Sequence, residues 1–332
     1  MTRWGAREFT LGAAVLALAT LPMWLGNSYY IKISNEVLYW AIFALGLNVL
    51  VGYGGLVSLG HAGLFAIAGY TAGLMLEAGH GHLASGLTAL AVIVASSAIY
   101  AVLALRATGI SFLMITLALG EIVWGIAYRW AGLTHGDNGV RVTSLPAPFG
   151  IDLSRPEAFY YMTLVVFLFA VASMAVFVRS PFGASLAGTR DQARRMTALG
   201  YNVWLIRFLA FLFSGFWTGV AGLLYLYHKQ FISPQVSALQ TSAEVLLMVI
   251  SGGIATLLGP IIGAAIVVIM KTVASAYIVR WNLVLGLIFV AIVSFMPEGL
   301  VPGSVRLWRL AGQAIRSRAT AAAARTVEDV TR

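Results

Sequence analysis

A chain of 332 residues that is 60% hydrophobic and 10% charged, with a mean hydropathy of +0.89, lies far from soluble domains, which carry roughly 25% charged residues. It reads as all-α, a polytopic transmembrane helical bundle. The formal net charge of +9 does not argue for a nucleic-acid partner, because the basic residues flank apolar runs in short loops and a tail, where orientation in a lipid bilayer alone requires them.

Taken in chain order, apolar runs at 9–26, 36–52, 56–76, 83–105, 109–130, 158–178, 204–227, 241–257, 259–276 and 281–297 predict about ten spans at about 20 residues per crossing. Arg3 and Arg7 precede the first run, and Ala17-Leu18-Ala19 within it has the small-residue character of a leader cleavage site. The run continues through Pro22 and Trp24 to Leu25, so a retained first span is expected. Glu36 then stands at the end of the second run, where charge is cheap, with Asn48 inside that run.

The third run is unlike a plain lipid-facing helix. GYGGLVSLGHAGLFAIAGYTAGL at 52–74 carries Gly52, Gly54, Gly55, Gly60, Gly63, Gly69 and Gly73, together with Ser58 and His61. Glycines alone fit tight helix packing, since small residues let backbones approach in lipid. Ser58 and His61 add polar groups that at membrane depth face a bundle interior or a wet cavity. A helix interrupted in this way is how a transporter builds a solute route. Ser58, Gly60 and His61 are therefore candidate pathway residues. His80 and His82 follow in a short loop, where such a pair is weak support for a metal site.

Glu121 lies well inside the fifth run. A substrate contact or a structural link to a neighbouring helix suits it better than a proton relay, which needs a chain of titrating partners. The 131–157 loop balances Arg141 and Arg155 against Asp137, Asp152 and Glu157. The 179–203 connection instead holds Arg179, Arg190, Arg194 and Arg195 against Asp191, and the basic 304–332 segment is expected to be a flexible tail. The excess of arginine places that connection, the tail and both termini in the cytoplasm and the 131–157 loop outside. Residues 1–303 then form the transmembrane domain.

Within the cytoplasmic connection, Ser180-Pro181 and Gly183 break the preceding span. A helix is expected from Ala184 to Leu199, capped at Gly200. Leu186, Thr189, Ala193, Met196 and Gly200 fall on one stripe, with Arg190, Asp191, Arg194 and Arg195 off it. Such a helix either rests on anionic headgroups or docks into a cytoplasmic partner. Further on, Glu244 lies in the eighth run, and Gly252, Gly253, Gly259 and Pro260 interrupt the stretch at 241–276. That stretch is two spans or a broken, re-entrant pair, and it pairs with the 52–74 break as a pointer to a path.

Several of these segments carry a family resemblance. The 52–74 stretch, GEIVWGIAYRWAGLTHGDNGV at 120–140, SPFGASLAGTRDQARRMTALGYNVWLIRFLAFLFSGFWTGVAGLLY at 180–225, SAEVLLMVISGGIATLLGPIIGA at 242–264 and LVLGLIFVAIVSFMPEGL at 283–300 are similar to the permease subunits of branched-chain amino acid ABC importers, the LivM-like half in particular. The resemblance runs from roughly residue 35 to 303 in order, and it implies that 184–203 is a coupling helix and loop that docks on an ATPase. Ala198-Leu199-Gly200 fits the core of that loop's pattern, whereas Arg194 and Arg195 stand where many members carry acids, and His135 stands where a glycine is common in the outer loop.

The residues independently describe a dependent subunit. GxxxxGK[ST] is missing from the sequence, and none of its three lysines follows a glycine, so ATP hydrolysis by the usual phosphate loop is excluded. HExxH and GxSxG motifs are missing too. With the resemblance, this implies a second homologous permease, two cytoplasmic ATPase subunits that hold the ATP, and an external solute-binding protein, with no cofactor bound by this chain. The importer would lie in the bacterial inner membrane and carry branched-chain amino acids or a related small polar solute. The rival expectation is a proton-coupled secondary transporter that uses Glu121.

Overall fold

The computed structural model describes residues 26–146 and 152–277, with scattered positions between 18 and 24 and between 283 and 303. The first and tenth expected spans and the basic tail lie largely or wholly outside the described residues.

Helix α1, Ser28–Asn48, starts on an Asn27 cap whose side chain accepts from the Tyr29 amide, and it continues as one π-helical turn, Val49–Tyr53. The helix thus begins well before the expected position 36. Glu36 is inside it rather than at its end, and is neutralised by Lys229 Nζ at 2.9 Å. The chain then leaves helical geometry over 54–60 and resumes as α2, His61–Glu77, so the expected helix over 56–76 is broken across its first turn.

Helices α3 (His82–Ala104), α4 (Ile110–Arg129), α5 (Pro156–Arg179) and α7 (Val203–Lys229) fall where the apolar runs predict them. Between the last two lies α6, Pro181–Ala198, opened by Ser180 as cap and Pro181 in its first turn. Helix α8, Leu239–Gly252, has 14 residues and α9, Leu258–Tyr277, has 20. Among the described residues six helices are long and apolar enough to cross a membrane: α1 with its π turn, α3, α4, α5, α7 and α9. At 1.5 Å per residue α8 is about 21 Å long. The 241–276 stretch is accordingly an unequal hairpin.

Helix α1 is the core of the bundle and touches α5, α7, α8 and α9, while α2 packs on α3 and α7. Of the apolar window of α1, 83% is buried within the chain, against 22% for α4. Stacked rings fasten α1 to α2: Trp40 on Phe65, with centroids 5.5 Å apart, and Phe43 on Phe65 at 5.0 Å.

The connection from α7 to α8 lies along α2. Its strand β2 (Phe231–Ile232) pairs antiparallel with β1 (Val140–Arg141), Val140 facing Ile232. Val140 sits on Gly73 and Ile232 on Gly69, and Ser242 Oγ accepts from the Ala62 amide at 3.2 Å. Those contacts, the last from within α8, step down α2 by about 16 Å, and the irregular backbone of 230–238 packs on α2, where burial in protein makes it tolerable in a membrane.

Candidate functional site

The break at 54–60 is held by side chains from three other elements. Ser58, His61 and Ser214 are fully buried. Ser214 Oγ donates to the Gly46 carbonyl at 2.6 Å, and its single proton is then committed. It can only accept from His61 Nε2, 3.1 Å away, which fixes the imidazole as the Nε2–H tautomer. Nδ1 is left as the acceptor for the Ser58 hydroxyl at 2.7 Å. The result is one directional chain, Ser58 to His61 to Ser214 to the Gly46 carbonyl, across the break and into α7 and α1. Thr116 of α4 accepts from the Leu59 amide at 3.2 Å, so that amide, freed by the break, is paired rather than orphaned.

Gly60 completes this arrangement by close approach. A Cβ built there would collide with the Thr116 carbonyl, and the Tyr100 hydroxyl nearby donates to the Leu119 carbonyl at 2.9 Å. Ser58, Gly60 and His61 therefore face other helices of their own chain, whereas Gly55 and Val57 are the exposed positions of the segment. Ser214, Thr116 and Ser242 complete the polar cluster, although sequence reasoning singled out none of them. The signal available for each was a hydroxyl inside an apolar run, the same signal that flagged Ser58.

The second interruption, at 253–257, touches the end of α1 and its π turn, which lead into the first. Asn48 Nδ2 donates to the Thr256 carbonyl at 2.8 Å, and Asn48 Oδ1 accepts from the Ala255 amide at 3.1 Å. One amide group at the end of α1 thus fastens the turn between α8 and α9. Gly252 lies against the Gly259 backbone with no room for a Cβ, and Gly263 lies likewise against the Met248 carbonyl, an antiparallel crossing built on small residues. Gly253 adopts φ of 124° to leave α8. Higher in this hairpin Glu244 accepts from Lys271 Nζ at 3.0 Å and from Gln240 Nε2 at 3.3 Å.

Glu121 is half-buried on α4, one residue beyond Gly120, whose own missing Cβ would lie 3.2 Å from the Gly60 Cα. Among the described residues it makes no hydrogen bond or ion pair, so the link to a neighbouring helix expected as one of its roles is not formed there.

Helix α6 departs from the single straight helix expected over 184–199. Gln192 has φ of −151° and ψ of 83°, a break inside it. Met196 consequently folds back on Gly188, its sulfur 2.8 Å from where a Cβ of Gly188 would stand; a straight helix would carry the two residues about 12 Å apart. Leu186 and Thr189 are buried, Ala193 and Met196 half-buried, and Arg194, Arg195, Ala198, Leu199 and Gly200 exposed. Gly200, at φ of 88°, ends the segment as a glycine should. Arg207 of α7 braces the break by donating to the Thr189 carbonyl at 3.0 Å. Arg190 is exposed, as expected for a residue off the stripe, and it also reaches the π turn that precedes the break: its Nη1 donates to the Gly52 carbonyl at 2.7 Å and its Nε to Asp191 at 2.9 Å.

At the opposite end of the bundle, an open cavity of about 500 Å³ is lined by Glu77, Ala131, His135, Asn138, Gly139 and Arg141. Glu77 and His135 approach to 3.6 Å, and the Arg141 guanidinium lies 5.8 Å from the Phe231 ring centroid.

A helical membrane bundle with two interruptions packed on each other beside a basic surface helix defines a class, the polytopic permeases. Residues 29–293 match the family model for the branched-chain amino acid transport system / permease component, and the chain belongs to that family. It is similar to the high-affinity branched-chain amino acid transport system permease protein LivM of Salmonella typhimurium and of Escherichia coli, 28% identical to each over 313 residues, 87% of this chain and 74% of each relative. No solved structure matches the chain. The protein is a multi-pass component of the bacterial inner membrane and the permease subunit of an ABC importer, a transport subunit that works with partner subunits.

Proposed function

We propose that this chain forms half of the translocation pathway for branched-chain amino acids or a related small polar solute, and that it pairs with a second, homologous permease. Two cytoplasmic ATPase subunits dock on the α6 end of the bundle and an external solute-binding protein delivers solute at the β1–β2 end. ATP is held at the ATPase subunits, and this chain binds no cofactor. The docking face comprises Ala193, Met196, Ala198, Leu199 and Gly200, with Asp191, Arg194 and Arg195 at its rim and Arg190 turned inward. The pathway runs beside the two breaks. Ser58, Gly60 and His61 shape the first and Gly252 and Gly253 the second, Glu244 holds the hairpin through its ion pair, and Glu121 offers the solute a polar contact.

The observation that carries this reading is the contact between the two breaks. Two interrupted segments from opposite halves of the chain meet at the Asn48 amide, at the end of the bundle where Arg190 of α6 attaches. Interrupted helices that meet in this way suit a substrate route.

Reconstitution tests it. Vesicles holding the permease pair, the ATPase subunits, the binding protein and ATP should accumulate radiolabelled leucine, and vesicles holding this chain alone should not. Uptake by the chain alone under a proton gradient, abolished by Glu121→Gln, would replace the proposal with a proton-coupled carrier.

A further inference from the structure

The segment at 49–60 and the surface helix α6 are joined by a side-chain contact, Arg190 to the Gly52 carbonyl. We propose that Arg190 is the positioning residue that ties movement of α6 to the break, so that ATPase-driven displacement of α6 is delivered to the backbone at Gly52. This rests on the proposal that α6 is the ATPase-docking element.

The local backbone explains why an arginine is needed. In a continued α-helix the Gly52 carbonyl would accept from the Leu56 amide. Here the chain widens into a π turn and leaves the helix, and the Leu56 amide donates to the Leu50 carbonyl at 2.9 Å instead. The Gly52 carbonyl thereby loses its helical donor. Arg190 Nη1 supplies one at 2.7 Å, a charge-assisted bond stronger than the amide bond it replaces. Its methylene stem lies on Gly55, which has φ of +66° and whose added Cβ would stand 2.5 Å from Arg190 Cγ. The glycine is needed twice, for the left-handed turn and for the passage of the arginine.

Gly52 is also where the two breaks meet. A Cβ placed on it would lie 2.5 Å from both Asn48 Oδ1 and the Ala255 nitrogen, and Asn48 holds Ala255 and Thr256. Arg190 hydrogen-bonds Gly52, Gly52 packs against Asn48 and Ala255 with no room for a Cβ, and Asn48 hydrogen-bonds the 253–257 turn, one contiguous run of contacts from the surface helix to both interruptions. A π turn is a segment whose hydrogen-bond register is already irregular. A pull on the Gly52 carbonyl acts where the helix is weakest.

The test uses the complete importer in vesicles and reads leucine taken up per ATP hydrolysed, together with ATPase co-purification. Arg190→Met keeps the stem over Gly55 and removes the donor. It should keep the ATPase bound yet lower uptake per ATP by about tenfold, the scale of one lost charge-assisted hydrogen bond, and Arg190→Lys should restore most of it. If Arg190→Met fails to accumulate in the membrane, Arg190→Gln reads the same quantity, because its amide is too short to reach Gly52. Unchanged uptake per ATP in the donor-free variant overturns the proposal. Failure of the docking reading has a separate signature, an Ala193→Glu variant that still co-purifies the ATPase.

Discussion

The two interruptions of this bundle solve the same problem by different means. At 54–60 the Leu59 amide is satisfied by Thr116 of α4, the Ser58 hydroxyl by His61 at the start of α2, and the imidazole passes one directed chain of hydrogen bonds through Ser214 of α7 to the Gly46 carbonyl. At 253–257 the turn is fastened by one asparagine, and the helices on either side meet through glycine backbone. The first device specifies direction and spacing, because each donor has one acceptor. The second specifies closeness, because no side chain stands between Gly252 and Gly259. A break built on side-chain hydrogen bonds can exchange partners while remaining paired, whereas a glycine crossing tolerates sliding but not insertion.

The glycine crossing is most sensitive at Gly252. Gly252→Val would drive a branched side chain into the Gly259 carbonyl, and overpacking of this kind costs about 3 kcal/mol. Thermal unfolding of the purified permease, followed by tryptophan fluorescence, should show the largest midpoint loss for this variant, and a midpoint within error of the parent would mean that the crossing is loose. His61→Leu should come next. It leaves the Ser58 proton buried without an acceptor, a loss of about 2 kcal/mol, and His61→Gln, which can still accept, should recover part of it. If leucine and glutamine behave alike, the directed chain contributes nothing. Asn48→Leu should be mildest, about 1 kcal/mol, since hydrogen bonds between helices in membranes are individually weak. A loss larger than that of Gly252→Val would reverse the assignment of what holds the second break.

Much of the helical skeleton was legible in the sequence, for a physical reason. A lipid-crossing helix must be long and apolar, so α3, α4, α5 and α7 end within a few residues of the expected limits. The glycine content of 52–74 and of 252–264 marked both breaks. The start of α1 was less legible because Lys32, Asn35 and Glu36 interrupt the apolar run, and only the Lys229 partner, 193 residues away, makes Glu36 tolerable within it. Partners of this kind are tertiary. Nothing local to Ser58 or His61 names Ser214, and nothing local to Arg190 names Gly52. The descent of 231–242 along α2 was hidden likewise, since Ser233-Pro234 reads as an ordinary loop until Gly69 and Gly73 leave room for it. The break at Gln192 has no local cause that we can identify in the sequence.

If ATPase movement reaches the break through Arg190, the segment between α1 and α2 changes with the state of the ATPase subunits. Val57 is its exposed side chain, 37% accessible, and the chain has no native cysteine, so Val57→Cys gives a single reporter in this subunit. Its rate of reaction with a water-soluble maleimide should be compared in the complete importer without nucleotide and with ATP trapped at the ATPase subunits. The rates should differ clearly between the two states, and the difference should be lost when Arg190→Met is added. Equal rates in both states, with Arg190 intact and the ATPase bound, would contradict it.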